Sequence, residues 1–510
     1  MIFIVPSTDS GKALGSLKDL VINTLPFGIA ALASILERDG RPATIINDSI
    51  TPLTPAMITA LATAAPGRPV FGITSLTLQT PRAKELARLI KQVLPHAAVI
   101  VGGIHATALP EEFIDAGGID YVFYGEADGV ITELADKLSA GQDVSMLPGL
   151  IWRAPDGSIR KNPPAKLIDL KELPPFPYHL FEGQLDRYDL GAVISSRGCP
   201  YRCIFCSQRA ITGTHHRTRP LDHVLREIDI LVEQHHLDYI TFFDDNFVVN
   251  RQWTYDLCNA LIARGYDKKV RFMCQLRGDA VSEEALTILK KTGFDTLSFG
   301  IETGSERMAQ VIQKGETVAR NVQAVLQAHA FGFRTAGTFI IGFPTETAED
   351  RKQTIDLAMS LPLDIVRINI GIPYPGTPFY DMVKSSLIVS EGWGNFNVVS
   401  PLVTGPFAKM PLPYVPPGAS DDELRYLMLW NNMKFWLRPK GLASFFFKKS
   451  TFVTRLPPRW YLHFSIIRGI VATGLTVTAN LLWIAYVAIK IPLAKRLSRR
   501  SGTDGTPGRG

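Results

Sequence analysis

The stretch GAVISSRGCPYRCIFCSQ, Gly191 to Gln208, places an apolar, β-branched run directly before three cysteines spaced CxxxCxxC, at Cys199, Cys203 and Cys206. Thiolates are soft ligands that select zinc, copper(I) or iron–sulfur clusters, so three in one loop point to a metal centre. Structural zinc takes four ligands, and no cysteine or histidine pair stands at the second-half spacing such a site needs. Cys258 and Cys274 lie far away among apolar residues and read as buried small hydrophobes. Three ligands to a four-iron cluster leave one iron open, and that vacancy can chelate a cofactor.

The apolar run before the cysteines opens a series: GAVISS, YITFF, VRFMCQ, TLSFGI, RTAGTFIIG and DIVRINI, with helical stretches such as Leu221 to His235 and Ser282 to Lys291 between them. Such strand–helix units predict a partial (β/α)6 TIM-type barrel over 189–385, with its chemistry at the C-terminal strand ends. Most strands end on a suggestive group: Arg197-Gly198-Cys199, Asp244-Asp245-Asn246, Gln275 and Arg277, Glu302, Gly342. A doubly wound sheet stays open, because periodicity does not separate the two.

Upstream, residues 1–140 alternate near-continuous apolar strands (MIFIV, ATIIN, PVFGITS, AAVIVGG, DYVFYG) with amphipathic helices, the pattern of a Rossmann-like doubly wound domain. Its ligand loops would be Gly102-Gly103-Ile104-His105 and Tyr124-Gly125-Glu126-Ala127-Asp128, although glycines there can equally serve only to turn the chain. Residues 141–188 carry Pro148-Gly149, Pro155-Asp156-Gly157, Pro163-Pro164 and LPPFPYHLF, and read as a proline-rich surface linker. Residues 386–510 form a mainly helical C-terminal extension with an apolar, basic segment at 464–500. The fold class is therefore α/β throughout the first two domains.

Composition narrows the function classes. The chain has 510 residues, enough for about three domains, and is 46% hydrophobic and 20% charged with mean hydropathy +0.09, which excludes a disordered or disulfide-stapled chain. From Leu424 to Thr503 there are 14 Lys or Arg and no Asp or Glu, so the remainder carries 40 basic and 48 acidic residues, a net of −8. That distribution argues against a nucleic-acid binder and assigns the basic charge to one segment. Five cysteines are too few for a secreted framework and fit a reducing compartment. The N-terminal apolar run lacks a basic n-region and reads as a strand, so a cytoplasmic protein is expected. Gly469 to Ile489 gives 21 uncharged residues flanked by Arg468 and by Lys490, Lys495, Arg496, Arg499 and Arg500. The positive-inside preference disfavours a span, and a helix on the cytoplasmic face of the membrane is expected, with a buried helix as the alternative.

GCPYRCIFC at the end of a first barrel strand resembles the motif of the radical S-adenosylmethionine superfamily. The resemblance covers about residues 190 to 385. It implies that Cys199, Cys203 and Cys206 hold a 4Fe-4S cluster whose open iron chelates S-adenosylmethionine, and that a one-electron reductant such as flavodoxin or ferredoxin yields a 5′-deoxyadenosyl radical. It also implies that Phe205 lies near the adenine, that Asp244 and Asp245 contact the methionine end, and that Glu302 faces the ribose. GTFIIGFPTET resembles the glycine-rich fifth-strand motif around Gly342, but departs from it in that Glu346 stands one residue further from Gly342 than the usual spacing.

The domain before it, with VGGIHAT and YGEAD, resembles the cobalamin-binding domain of cobalamin-dependent members of that superfamily, and implies Gly102, Gly103, His105, Gly125 and Glu126 around that cofactor. Where histidine ligates cobalt, such domains carry DxHxxG after the first strand. Here that loop reads PSTDSGKALG and the first histidine is His96. Cobalamin is therefore expected without a histidine on cobalt, with His105 a hydrogen-bonding loop residue. The function so implied is methyl transfer to an unactivated carbon of an apolar or lipid substrate. Relatives with the same two domains perform ring contraction or oxidative cyclisation of lipid or tetrapyrrole substrates. A reading of another class, a non-catalytic membrane-bound iron–sulfur sensor or scaffold, is opposed by the adenosine-pocket motifs.

Overall fold

The computed structural model describes residues 1–8, 23–397, 410–439, 482 and 484–488. Five short parallel strands, β1 (Ile2–Val5), β2 (Thr44–Asn47), β3 (Val70–Thr74), β4 (Ala98–Gly102) and β5 (Tyr121–Phe123), form the first sheet in the order β2-β1-β3-β4-β5. Their apolar runs are continuous because both faces are covered. Ile2 and Ile4 pack with Ile58 of α2 (Pro55–Ala64) and Leu86 of α3 (Thr80–Val93), whereas Phe3 packs the other way with Leu36 of α1 (Phe27–Arg38) and Ile131 of α4 (Ile131–Ser139). The order reverses between β1 and β3, and that switch point is where such sheets open a ligand crevice at the strands' carboxyl ends.

The proline-rich stretch 141–188 differs from its reading as a linker. Leu150–Arg153 (β6) and Ile159–Lys161 (β7) add to the first sheet as an antiparallel hairpin beside β5. Its punctuation residues build the turn: Gly157 N–H donates to Ala154 O at 2.9 Å and Ser158 N–H to the Asp156 carboxylate at 2.9 Å.

The second sheet contains β8 (Ala192–Val193), β9 (Tyr239–Phe242), β10 (Arg271–Leu276), β11 (Phe294–Glu302), β12 (Arg334–Ile341) and β13 (Ile365–Ile370), each parallel to the next. Strand order follows chain order with no reversal, which resolves the open choice: this is a partial (β/α)6 barrel, not a doubly wound sheet. Along β11, Leu297, Phe299 and Ile301 face the main core, so Ser298, Gly300 and Glu302 line the interior. Helices α5 (Leu221–Asp229), α6 (Arg251–Ala263), α7 (Glu283–Thr292), α8 (Val318–Ala330) and α9 (Ala348–Ser360) supply the outer layer.

The last strand would be an open edge, and the C-terminal extension covers it. In α10 (Asp421–Trp436), Asn432 accepts from Ile368 N–H at 3.0 Å and donates to Ile368 O at 2.8 Å, satisfying both backbone groups of β13 there. Of the apolar basic segment 464–500, only 482 and 484–488 lie within the described residues. Ile484 and Val487 are buried in the barrel's core cluster, while Leu482 and Tyr486 are exposed. Among the described residues no helix is long and apolar enough to cross a membrane.

Candidate cofactor site

The cysteine loop leaves β8 through a short antiparallel ribbon, Ser196–Arg197 against Arg217–Thr218. Gly198 adopts φ +83°, and a side-chain carbon there would collide with His215 O, so this entry to Cys199 needs glycine. The loop is pinned by Ile204, whose N–H donates to Ile312 O and whose carbonyl accepts from Phe379 N–H, both at 3.0 Å. Ile204 thus points into a buried cluster and leaves the three cysteines half-buried. Burial pushes all three thiols above the usual range, Cys206 to about 11, and Cys203 is within electrostatic reach of both Cys199 and Cys206. Among the described residues no group of three or more His, Cys, Asp or Glu side chains stands in metal-binding geometry. The fit to a soft metal centre therefore rests on the donor set, three thiols on one loop that a cation would deprotonate on binding.

Behind the loop lies a buried polar chain. Arg277 stacks on Tyr201, 3.4 Å from the ring centre, and pairs with Asp279 at 3.1 Å and Glu316 at 3.7 Å. Glu316 reaches Lys314 at 3.4 Å, and Lys314 reaches Glu302 at 3.7 Å. Glu302 ends β11 at φ +69°, and its Oε2 is buried without a hydrogen-bond partner among the described residues. Burial raises the Glu302 carboxyl, against the pull of Lys314. An unpaired buried carboxylate oxygen at the barrel's C-terminal rim is an acceptor suited to a hydroxyl-bearing ligand. Lys314 and Glu316 escaped the sequence reading because a KGET turn looks like solvated surface; only burial distinguishes them.

Other sequence-predicted residues are placed differently. Asp244 does not face an open site: its Oδ1 accepts from Ser195 N–H at 3.1 Å, Ser195 Oγ at 2.9 Å and Ser196 Oγ. It ties β9 to the strand before the cysteines, with burial pushing its carboxyl up to about 6. Asp245, next to it, is exposed and bears electrostatically on Cys199 and Cys206. Phe205 is half-buried, 5.6 Å from the Phe343 ring. Gly342 has φ +92°, and its N–H donates to Glu346 Oε2 at 2.6 Å. Glu346 thereby closes the loop after β12, a clasp that its shifted spacing allows.

At the carboxyl edge of the first sheet, Gly103 adopts φ +96°; a side-chain carbon there would lie 2.9 Å from both Ser75 N and O, so the β3 and β4 loops touch through bare backbone. Gly102 sits beside Phe123, and Gly125 N–H donates to Thr107 Oγ1 at 3.1 Å. His105 is buried with Nδ1 3.2 Å from Thr77 Oγ1 and Nε2 3.1 Å from Glu112 Oε2, and Trp393 of the C-terminal extension stacks edge-on at 4.9 Å. Both its nitrogens are engaged, as a loop hydrogen-bonding role requires. Glu126 turns away from this edge and pairs with Arg197 at 3.3 Å and with Arg217, both in the cysteine ribbon. The short helix Ile104–Ala108 packs on Arg209–Thr212, which follows the cysteines, so the two carboxyl edges meet.

Comparison with known proteins interprets this arrangement. The family description Radical SAM superfamily matches residues 193–358, and B12 binding domain matches residues 21–135. An uncharacterized methyltransferase of Pyrococcus horikoshii is 30% identical over 464 residues, 89% of this chain and 96% of the relative. The chain belongs to the cobalamin-binding radical S-adenosylmethionine enzymes. Its cofactors as such an enzyme are a 4Fe-4S cluster, S-adenosylmethionine and cobalamin. Anaerobic magnesium-protoporphyrin IX monomethyl ester cyclase of Rubrivivax gelatinosus is 26% identical over 415 residues, 79% of this chain and 73% of the relative. The fold is shared with the radical S-adenosylmethionine methyltransferase TsrM of Kitasatospora setae, whose structure holds cobalamin and a [4Fe-4S] cluster: TM-score 0.66, 17% identity, 85% of this chain and 88% of that one. For a cobalamin-binding radical S-adenosylmethionine enzyme, the meeting of the two carboxyl edges brings both cofactor domains to one place.

Proposed function

We propose that the enzyme transfers a methyl group to an unactivated carbon of a small molecule held between the barrel mouth and the first sheet. The observation that carries this reading is the contact of the helix that follows the cysteine loop, Arg209–Thr212, with the helix that follows Gly103, Ile104–Ala108. When bound, the cluster with S-adenosylmethionine supplies a 5′-deoxyadenosyl radical that takes hydrogen from the substrate, and cobalamin supplies the methyl group. Cys199, Cys203 and Cys206 would hold the cluster, on a loop that Ile204 anchors and that leaves the thiols half-buried. Glu302 accepts from the ribose hydroxyls through its unpaired oxygen, with Lys314 and Glu316 fixing its position, and Phe205 flanks the adenine. Gly102, Gly103 and Gly125 would let cobalamin lie against backbone, and His105, with both nitrogens engaged by Thr77 and Glu112, would serve as a hydrogen-bonding residue of that loop.

Two large apolar side chains support an apolar substrate: Phe243, 54% exposed after β9, and Leu76, 53% exposed after β3. A carrier such as flavodoxin or ferredoxin serves as reductant. A peripheral cytoplasmic membrane location belongs to this reading on the sequence of 464–500 alone, and sedimentation of the full chain with anionic and with neutral liposomes tests it. Cyclisation is the second reading, favoured by the likeness to the Rubrivivax gelatinosus cyclase. Anaerobic incubation with reductant, S-adenosylmethionine and candidate substrates separates the two: 5′-deoxyadenosine with S-adenosylhomocysteine means methyl transfer, and 5′-deoxyadenosine alone means rearrangement or cyclisation.

A further inference from the structure

Four charged side chains join the loop after β5 to the ribbon beside the cysteines. Arg197 and Arg217 stand directly opposite each other in that antiparallel ribbon, a placement that like charges disfavour. Glu126 bridges them, its Oε2 accepting from Arg197 Nη1 at 3.3 Å and its Oε1 from Arg217 Nη2, while Asp128 Oδ1 accepts from Arg197 Nη1 at 3.0 Å. The four side chains are between 4% and 17% exposed, so two cations and two carboxylates balance in a nearly dry interface. Arg217 also donates to Ile168 O at 3.0 Å, fixing the guanidinium from a third side. The ribbon's far end is held by Ser195 and Ser196 on Asp244. Arg197 is separated from Cys199 by Gly198 alone, so whatever holds this guanidinium also sets where the cysteine loop begins.

We propose that Glu126 and Asp128 are positioning residues that grip Arg197 and Arg217 and thereby fix the separation between the cobalamin and the cluster. The proposal rests on the two-cofactor reading above. Each carboxylate acts through an arginine. Replacing one charge leaves a buried partner unpaired and frees the ribbon on one side.

The test uses the full chain, reconstituted with iron, sulfide and cobalamin and reduced until cluster and cobalamin each carry an unpaired spin. Pulsed electron paramagnetic resonance then reads the distance between the two. The wild type gives one narrow distribution, E126Q at least doubles its width, and the exchange E126R/R217E narrows it again, a rescue that loss of general stability does not produce. An E126Q protein with wild-type iron and cobalt contents and an unbroadened distribution overturns the proposal. If E126Q does not load, D128N takes its place under the same criterion. A wild-type chain that holds neither cofactor defeats the two-cofactor reading instead; the grip is then judged by hydrogen exchange, where E126Q must speed exchange across residues 195–219 at least tenfold, and unchanged exchange overturns it.

Discussion

In the proposed reading, the loop at 199–206 and the carboxyl edge of the first sheet serve two cofactors by opposite means. The first offers side chains, three thiols and an aromatic at Phe205, with the buried acid Glu302 at the end of β11. The second offers the lack of side chains, with Gly103 pressed against the Ser75 backbone and the nearby His105 locked between Thr77 and Glu112. A cluster is held by covalent ligands, which demand particular residue types at particular spacings. A large planar cofactor is held by shape and backbone, which demand clearance. Mutations should therefore act through ligand loss in one region and through steric intrusion in the other.

The largest effect is expected at the thiols. Replacing Cys199, Cys203 and Cys206 together with Ala should bring 5′-deoxyadenosine formation to background, measured by chromatography after anaerobic incubation with S-adenosylmethionine and reductant. Next comes Gly103→Ala, which forces a side chain into left-handed backbone and against Ser75 at a cost of about 1–3 kcal/mol. Cobalamin retained after gel filtration should fall while iron content stays unchanged; loss of iron instead would mean that the two regions are not separable.

A pH effect follows from Glu346, whose burial pushes its carboxyl up to about 7 from an ordinary 4.5. Between those values the folded chain keeps a proton that the unfolded chain has released, so stability falls as pH rises through that window. Glu346→Gln keeps an acceptor for Gly342 N–H and removes the titration. Its stability relative to wild type should rise between pH 4.5 and 7, by about 3 kcal/mol at most, in denaturant titrations at several pH values. The smallest cofactor effect is expected for His105→Ala. The visible spectrum of bound cobalamin should not move, although unfolding should become easier by about 1–3 kcal/mol because Thr77 and Glu112 lose a buried partner. A shifted spectrum would put that histidine on cobalt.

The same contrast explains what was legible in the sequence. In the first sheet, strands buried on both faces leave near-continuous apolar runs, and in the barrel the strands keep one fully buried face. The five parallel strands and the six barrel strands could therefore be read from their apolar patterns. Thiols at CxxxCxxC spacing announce themselves because few other needs place them so. The hairpin at 150–161 was hidden because Pro155-Asp156-Gly157 serves a linker as well as a turn. The pairing of Glu126 with Arg197 and Arg217 is not legible because these partners lie 71 and 91 residues away, and sequence carries no sign of such pairings. For Asp244, which the resemblance assigns to the methionine end, only the fold reveals that Ser195 and Ser196 occupy it.

The division of labour between the two regions is tested most directly by paired iron and cobalt analysis of the wild-type chain and its triple Cys199, Cys203, Cys206→Ala variant, both reconstituted with iron, sulfide and cobalamin. The account predicts about four irons and about one cobalt per wild-type chain, and no iron with undiminished cobalt in the variant. Iron that survives in the variant through Cys258 or Cys274, or cobalt that disappears with the iron, would contradict it.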